Sequence, residues 1–162
     1  NMVISQNVQP HFWPWQPCFA EGSPLRDVRV RRALNLAVDR EGMKQLLGGF
    51  MVPAVGTVQP GHPWWGNPSF QIRTDKAEAR RLLAEAGYTA QRPLTLKVQI
   101  SASGSGQMQP LQMNEFIQQE LKEVGVTVEF DVVDWNTLFT NWRRGCTDAS
   151  ARGAHAINVS IS

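Results

Sequence analysis

Three histidines, two cysteines and six tryptophans hold most of the chemistry that this 162-residue sequence offers. His11, His62 and His155 are scattered, with no HExxH pair, no second histidine at helical spacing and no carboxylate cluster beside them. A catalytic zinc site needs its ligands gathered on one helix face, so each histidine reads as a surface or loop residue. Cys18 and Cys146 fit neither a zinc knuckle nor a cysteine-nucleophile signature. Each reads first as a free thiol, with a Cys18–Cys146 disulfide open to a chain that folds outside the cytoplasm. No nucleophile–base pair emerges. The sequence reads as a non-enzyme that needs no cofactor.

The stretch Ser101-Ala-Ser-Gly-Ser-Gly106 stands between a strand pattern and a helix pattern, where phosphate loops occur. It lacks the Lys-Ser/Thr pair of such loops and the full GxGxxG spacing. It reads instead as a flexible loop at a cleft edge, because strand ends that face a helix N-terminus line ligand sites in α/β sheets. The following helix N-terminus can attract a ligand carboxylate through its dipole. Arg29, Arg31 and Arg32 are flanked by Asp27, Asp39 and Glu41, without an interleaved aromatic platform. Sixteen basic against fourteen acidic residues leave a net charge of +2, so these arginines read as a solvated helix face and no nucleic-acid partner is expected. Trp64 and Trp65, in a Pro/Gly-rich stretch, read as packing anchors. Trp135 differs, because a strand passes into a helix there and an indole at that point can face a cleft.

The elements that must position these residues follow from periodicity. Residues 1–23 hold Phe12, Trp13, Trp15 and Phe19 among Pro10, Pro14 and Pro17, which predicts an extended, edge-type path. Asp27 caps a helix with Val30, Ala33, Leu34, Ala37 and Val38 on its stripe, and Asp39 restarts a shorter one with Met43, Leu46 and Leu47. A long loop over 50–73 follows. Asp75 and Glu78 form a capping-box start for a helix bearing Ala79, Leu82, Leu83 and Ala86, stopped at Gly87. Leu94–Ile100 alternates as a strand, a helix carries Met113, Phe116, Ile117, Leu121 and Val124, and Val126–Val132 alternates again. Such a strand–helix–strand unit lays two strands in one sheet. Asp134 caps a helix holding Leu138, Phe139 and Trp142, broken at Gly145, and residues 154–162 read as a last strand.

The composition, 42% hydrophobic and 19% charged, is that of a globular domain with a real core. No apolar run approaches the roughly 18 residues that a membrane-crossing helix needs. The sequence opens at Asn1 without a leader pattern and stops in an alternating stretch. A natural domain seldom leaves a strand with raw ladder edges, so we read the chain as a piece of something longer.

Four ordered segments carry a resemblance: PLRDVRVRRALNLAVDREG (24–42), PAVGTVQPGHPWWGNP (53–68), DKAEARRLLAEAGY (75–88), and 111–145 ending in DWNTLFTNWRRG. Together they resemble the family 5 extracellular solute-binding proteins, the peptide, nickel and opine receptors of ABC importers. The resemblance covers nearly the whole chain. It implies an α/β fold, one lobe of a type II periplasmic-binding-protein architecture, with a mixed sheet flanked by helices. It also implies that residues 1–162 form a single domain, most of the C-terminal lobe, with 1–23 as an extended inter-lobe segment. The partners implied are a small-molecule or peptide ligand, an ABC permease and an N-terminal lobe, and the implied location is periplasmic or extracytoplasmic.

Trp135 matches a cleft-lining tryptophan of oligopeptide receptors. Asn158 falls where those receptors carry an arginine that meets the ligand carboxylate, and Trp142 replaces a second arginine. Both departures remove positive charge from the positions that would meet a free peptide carboxylate. An aspartate that grips the ligand's amino terminus in oligopeptide and dipeptide receptors follows the position of Ser162. Gly104 and Gln109 match cleft-facing positions, and Gln107, Met108, Ser160, Trp13 and Trp15 complete the candidate set. The rival reading is a free-standing interaction or adaptor module derived from such a lobe, acting by protein–protein contact.

Overall fold

The computed structural model describes residues 2–161 apart from Gln6 and Val8. Its framework is a four-stranded mixed sheet in the order β1-β4-β2-β3. β2 (Leu94–Ser101) and β3 (Val126–Val133) run parallel, in register from Leu94 opposite Val126 to Ser101 opposite Val133. They are joined through α4 (Pro110–Lys122), the strand–helix–strand unit read from the alternation. β4 (Ala156–Asn158) lies parallel to β2, and β1 (Trp15–Pro17) pairs antiparallel on its outer side. The expected last strand over 154–162 is therefore only three residues of regular ladder, extended by a bridge between Phe12 and Ile161. It is paired on both sides and is not an open edge. Ser162 lies outside the described residues.

Side-chain alternation gives the sheet two different faces. On one, Leu94, Leu96, Val98 and Ile100 join Leu121 and Val124 near α4, together with α1 (Val28–Ala37) and α3 (Lys76–Glu85), in the main apolar core. A smaller cluster of Met43, Leu47 and Met113 ties in α2 (Arg40–Leu46). On the other face, Gln99 at mid-strand is fully buried. α5 (Trp135–Arg144) covers it, followed by a 3-10 turn at Ala149–Ala151.

The caps follow the sequence. The carboxylates of Asp27, Asp39, Asp75 and Asp134 accept from backbone amides in the first turns of α1, α2, α3 and α5. The capping box at Asp75 is only half formed. Glu78 pairs with Arg81, and the Asp75 amide donates instead to the Leu36 carbonyl at 2.8 Å. That bond seats α3 on α1, and it explains why Leu36 is buried while Leu34, expected on the stripe, is only partly covered. Leu46 is 41% exposed and also falls outside the core. The cysteines correct the free-thiol reading: Cys18 and Cys146, 128 positions apart, form a disulfide with a Cα–Cα distance of 5.6 Å. No helix of the described residues is long and apolar enough to cross a membrane.

Candidate functional site

The site lies past the C-terminal ends of the two long parallel strands, where the loop 102–109, the start of α5 and the approach to β1 meet. His11, Ser105, Trp135, Phe139 and Ser160 line an open cavity of about 300 Å³ there. The backbone of the loop sets its shape. A Cβ on Gly104 would stand 2.4 Å from the six-membered ring of Trp135, and one on Gly106 would stand 2.6 Å from His11 Cγ and 2.9 Å from Ser160 Oγ. Both glycines have positive φ, at 140° and 66°. The loop thus lies against the indole, the imidazole and the hydroxyl more closely than any side-chain-bearing residue allows. The Ser160 hydroxyl donates to the Ser105 carbonyl and fastens the loop to the end of the sheet.

α5 supplies an aromatic wall. Trp135, Phe139 and Trp142 recur at positions i, i+4 and i+7 and so share one face. Their ring centroids are 6.0 Å and 5.4 Å apart, and the Arg143 guanidinium sits 5.1 Å from the Phe139 ring. Phe139, one of the residues read from sequence on this helix, is 37% exposed. The indole N–H groups of Trp13, Trp15 and Trp142 are spent on Gln107, Asn114 and Gln16 at 2.7–2.8 Å. The Trp135 indole N–H has no hydrogen-bond partner among the described residues.

The remaining candidates divide. Gln109 and Met108 are exposed at the mouth of the loop, Met108 with φ +52°. Gln107 is fully buried; its Oε1 accepts from Trp13 while its Nε2 has no partner. Asn158, expected near the ligand, is fully buried with its amide committed at both ends. Its Oδ1 accepts from Asn114 at 2.9 Å and its Nδ2 donates to the Pro14 carbonyl at 3.0 Å. Trp15, half-buried, donates to Asn114 in the same column and stands edge-on to Phe130. Sequence reasoning missed His11, a wall residue whose Nδ1 is buried without a partner. The aromatic, proline-broken stretch around it was the available signal. Trp64, expected to anchor its loop, is 83% exposed.

Charge stands outside the cavity. Hydrogen bonds from the Thr137 hydroxyl and amide hold the Asp134 carboxyl below the usual range at the cap of α5. Burial, then the Lys97 ammonium, lowers His155, whose Nδ1 accepts from the Lys97 amide at 2.9 Å. The five lining residues include no carboxylate, lysine or arginine. Among the described residues, no three His, Cys, Asp or Glu side chains gather as a metal site would require.

Comparison with known proteins places this architecture. The family model described as "Bacterial extracellular solute-binding proteins, family 5 Middle" matches residues 3–160. The periplasmic oligopeptide-binding protein OppA of Escherichia coli is 31% identical over 138 residues, which is 80% of this chain and 24% of that protein. The glutathione-binding protein GsiB of Salmonella typhimurium is 31% identical over 119 residues, 68% of this chain and 21% of that protein. The chain therefore spans about a quarter of these relatives' length. Among solved structures, an oligopeptide-binding protein from Thermus thermophilus complexed with a pentapeptide superposes with a TM-score of 0.73 at 19% identity, covering 94% of this chain and 28% of that one. NikA from Brucella suis in complex with Fe(III)-EDTA gives 0.72 at 23% identity, covering 93% of this chain and 30% of that one. These likenesses show the fold, that of the periplasmic binding proteins.

Proposed function

The chain belongs to the bacterial extracellular solute-binding proteins, family 5, and from that premise we propose that it forms most of the C-terminal lobe of a two-lobed receptor. In this reading the cavity at His11, Ser105, Trp135, Phe139 and Ser160 is one wall of the solute cleft. The opposite wall belongs to an N-terminal lobe. The observation that carries the reading is the pairing of Trp135 with Gly104: a loop glycine packed against an indole whose N–H remains unspent. An indole so supported offers a flat apolar face and one directed donor, at the position in an α/β sheet where ligands gather.

The receptor captures a small solute, a peptide or a related compound, and delivers it to an ABC permease. It acts by binding, without covalent chemistry. The five lining residues include no carboxylate, lysine or arginine, so recognition on this side comes from stacking, hydroxyls and exclusion of water. An extracytoplasmic location is supported by the Cys18–Cys146 disulfide, since such bonds persist in oxidising compartments.

The test is Trp135→Ala in the full receptor, with a pentapeptide and glutathione as calorimetric probes. Loss of at least about tenfold in affinity for the probe that binds, about 1.4 kcal/mol, is expected for a wall aromatic. An unchanged affinity in a folded variant refutes the assignment. The isolated chain holds half a cleft and leaves a ligand open on one side, so micromolar binding to it alone also contradicts the reading.

A further inference from the structure

α5 is seated differently from the other long helices. Its inward side carries only Leu138 and Asn141 as buried residues, and Leu138 belongs to neither apolar cluster. Asn141 is held by polar bonds: its Nδ2 donates to Gln99 Oε1 at 3.0 Å and to the Ser150 carbonyl at 3.2 Å. One leucine and an amide network are slight anchorage for a helix whose other side carries three large aromatic rings facing the cleft and its margin.

Two further ties reach α5 from the β1 side. Trp142 donates to Gln16 Oε1 at 2.7 Å, across 126 positions of sequence. Immediately past the Gly145 cap, Cys146 is bonded to Cys18, which follows β1 directly. Cys18 is itself fixed to the sheet, because its amide donates to the His155 carbonyl at 2.8 Å and its side chain is buried. Gln16 and Cys18 therefore hold the C-terminal end of α5 to the strand that borders the cleft.

We infer that the Cys18–Cys146 bridge and Gln16 are positioning residues for ligand capture: they clamp α5 to β1 so that Trp135 and Phe139 stand in the cleft at a fixed angle. The inference rests on the reading of α5 as a cleft wall. Its mechanics follow from the fold alone. With the clamp open, the aromatic face can rock about Leu138, while the main core on the opposite face of the sheet is untouched.

The experiment is ¹⁹F NMR of the whole chain carrying 5-fluorotryptophan, with each line assigned by a Trp→Phe substitution. In the oxidised protein, Trp135 and Trp142 give narrow, dispersed lines. In Cys18→Ala/Cys146→Ala, these two lines broaden and move toward the solvent-exposed position, while those of Trp13 and Trp15, bonded to Gln107 and Asn114, stay in place. With the bridge intact, Gln16→Ala moves Trp142 in the same direction, and Gln16→Glu, which keeps an acceptor for the indole, restores it. Unmoved Trp135 and Trp142 lines in the bridge-free protein overturn the inference. So does joint collapse of all six lines, which would make the bridge a staple of the whole fold. The lines are read without ligand, so failure of every solute to bind would sink the cleft assignment and leave this result standing.

Discussion

Substituting Gly104 by alanine tests whether the loop and the aromatic wall form one packed unit. The new Cβ would sit 2.4 Å from two carbons of the Trp135 ring and 2.8 Å from a third, about 1 Å inside ordinary contact. An indole cannot yield as a flexible side-chain tip would, so the loop or α5 must move. Two penalties combine. Holding a non-glycine residue at φ +140° costs of order 1–3 kcal/mol, and forcing a methyl group into a filled space costs a similar 1–3 kcal/mol. Their midpoints give about 4 kcal/mol, and for a chain of this length that lowers Tm by roughly 8–16 °C. Urea unfolding of wild type, Gly104→Ala, Trp135→Ala and the double variant separates the two penalties. In the Trp135→Ala background the clash is gone, so Gly104→Ala should cost only the backbone share, leaving a coupling of about 2 kcal/mol. Equal costs in both backgrounds would refute the packing argument.

Two further predictions concern the sheet beside the cavity. Asn158→Ala strands the Pro14 carbonyl and one N–H of Asn114, whose Nδ2 keeps its bond to the Pro110 carbonyl; at roughly 1–3 kcal/mol per orphaned group this costs about 2–6 kcal/mol by chemical denaturation. Asn158→Asp, which still accepts from Asn114 but no longer donates to Pro14, is also destabilised. His155 titrates below its unfolded value of about 6.5, so just beneath that pH the unfolded chain binds the extra proton. Stability is therefore flat above that pH and falls as the pH drops through the window beneath it, and His155→Gln flattens this part of the urea-midpoint profile.

Much of the fold was legible because its signals are local. Asp27, Asp39 and Asp134 cap helices through carboxylates that reach amides two or three residues away, and alternation over Leu94–Ile100 and Val126–Val132 needs only its own neighbours. What was hidden depends on partners distant in sequence. The disulfide joins residues 128 positions apart, and nothing near either cysteine announces the other. Leu36 outranks Leu34 because α3 docks beside it, a fact outside the α1 pattern. His11 joins the cavity lining through the close approach of Gly106, and the Asn158 amide is occupied by Asn114 and Pro14, contacts that neither residue's neighbours in sequence announce. Trp135 stood out where a strand passes into a helix, Gly104 only through family resemblance, and the structure brings the two into contact.

The most direct test of the central claim is a ¹H–¹⁵N chemical-shift map of the chain, titrated to millimolar concentration with a pentapeptide and, separately, with glutathione. The account predicts weak, saturable shifts for at least one of them, confined to the Trp135 indole, Ser105, Gly106, Ser160 and His11. Shifts centred on the separate groove at Leu46, Gln112 and Phe116, or no shifts with either probe, would contradict it.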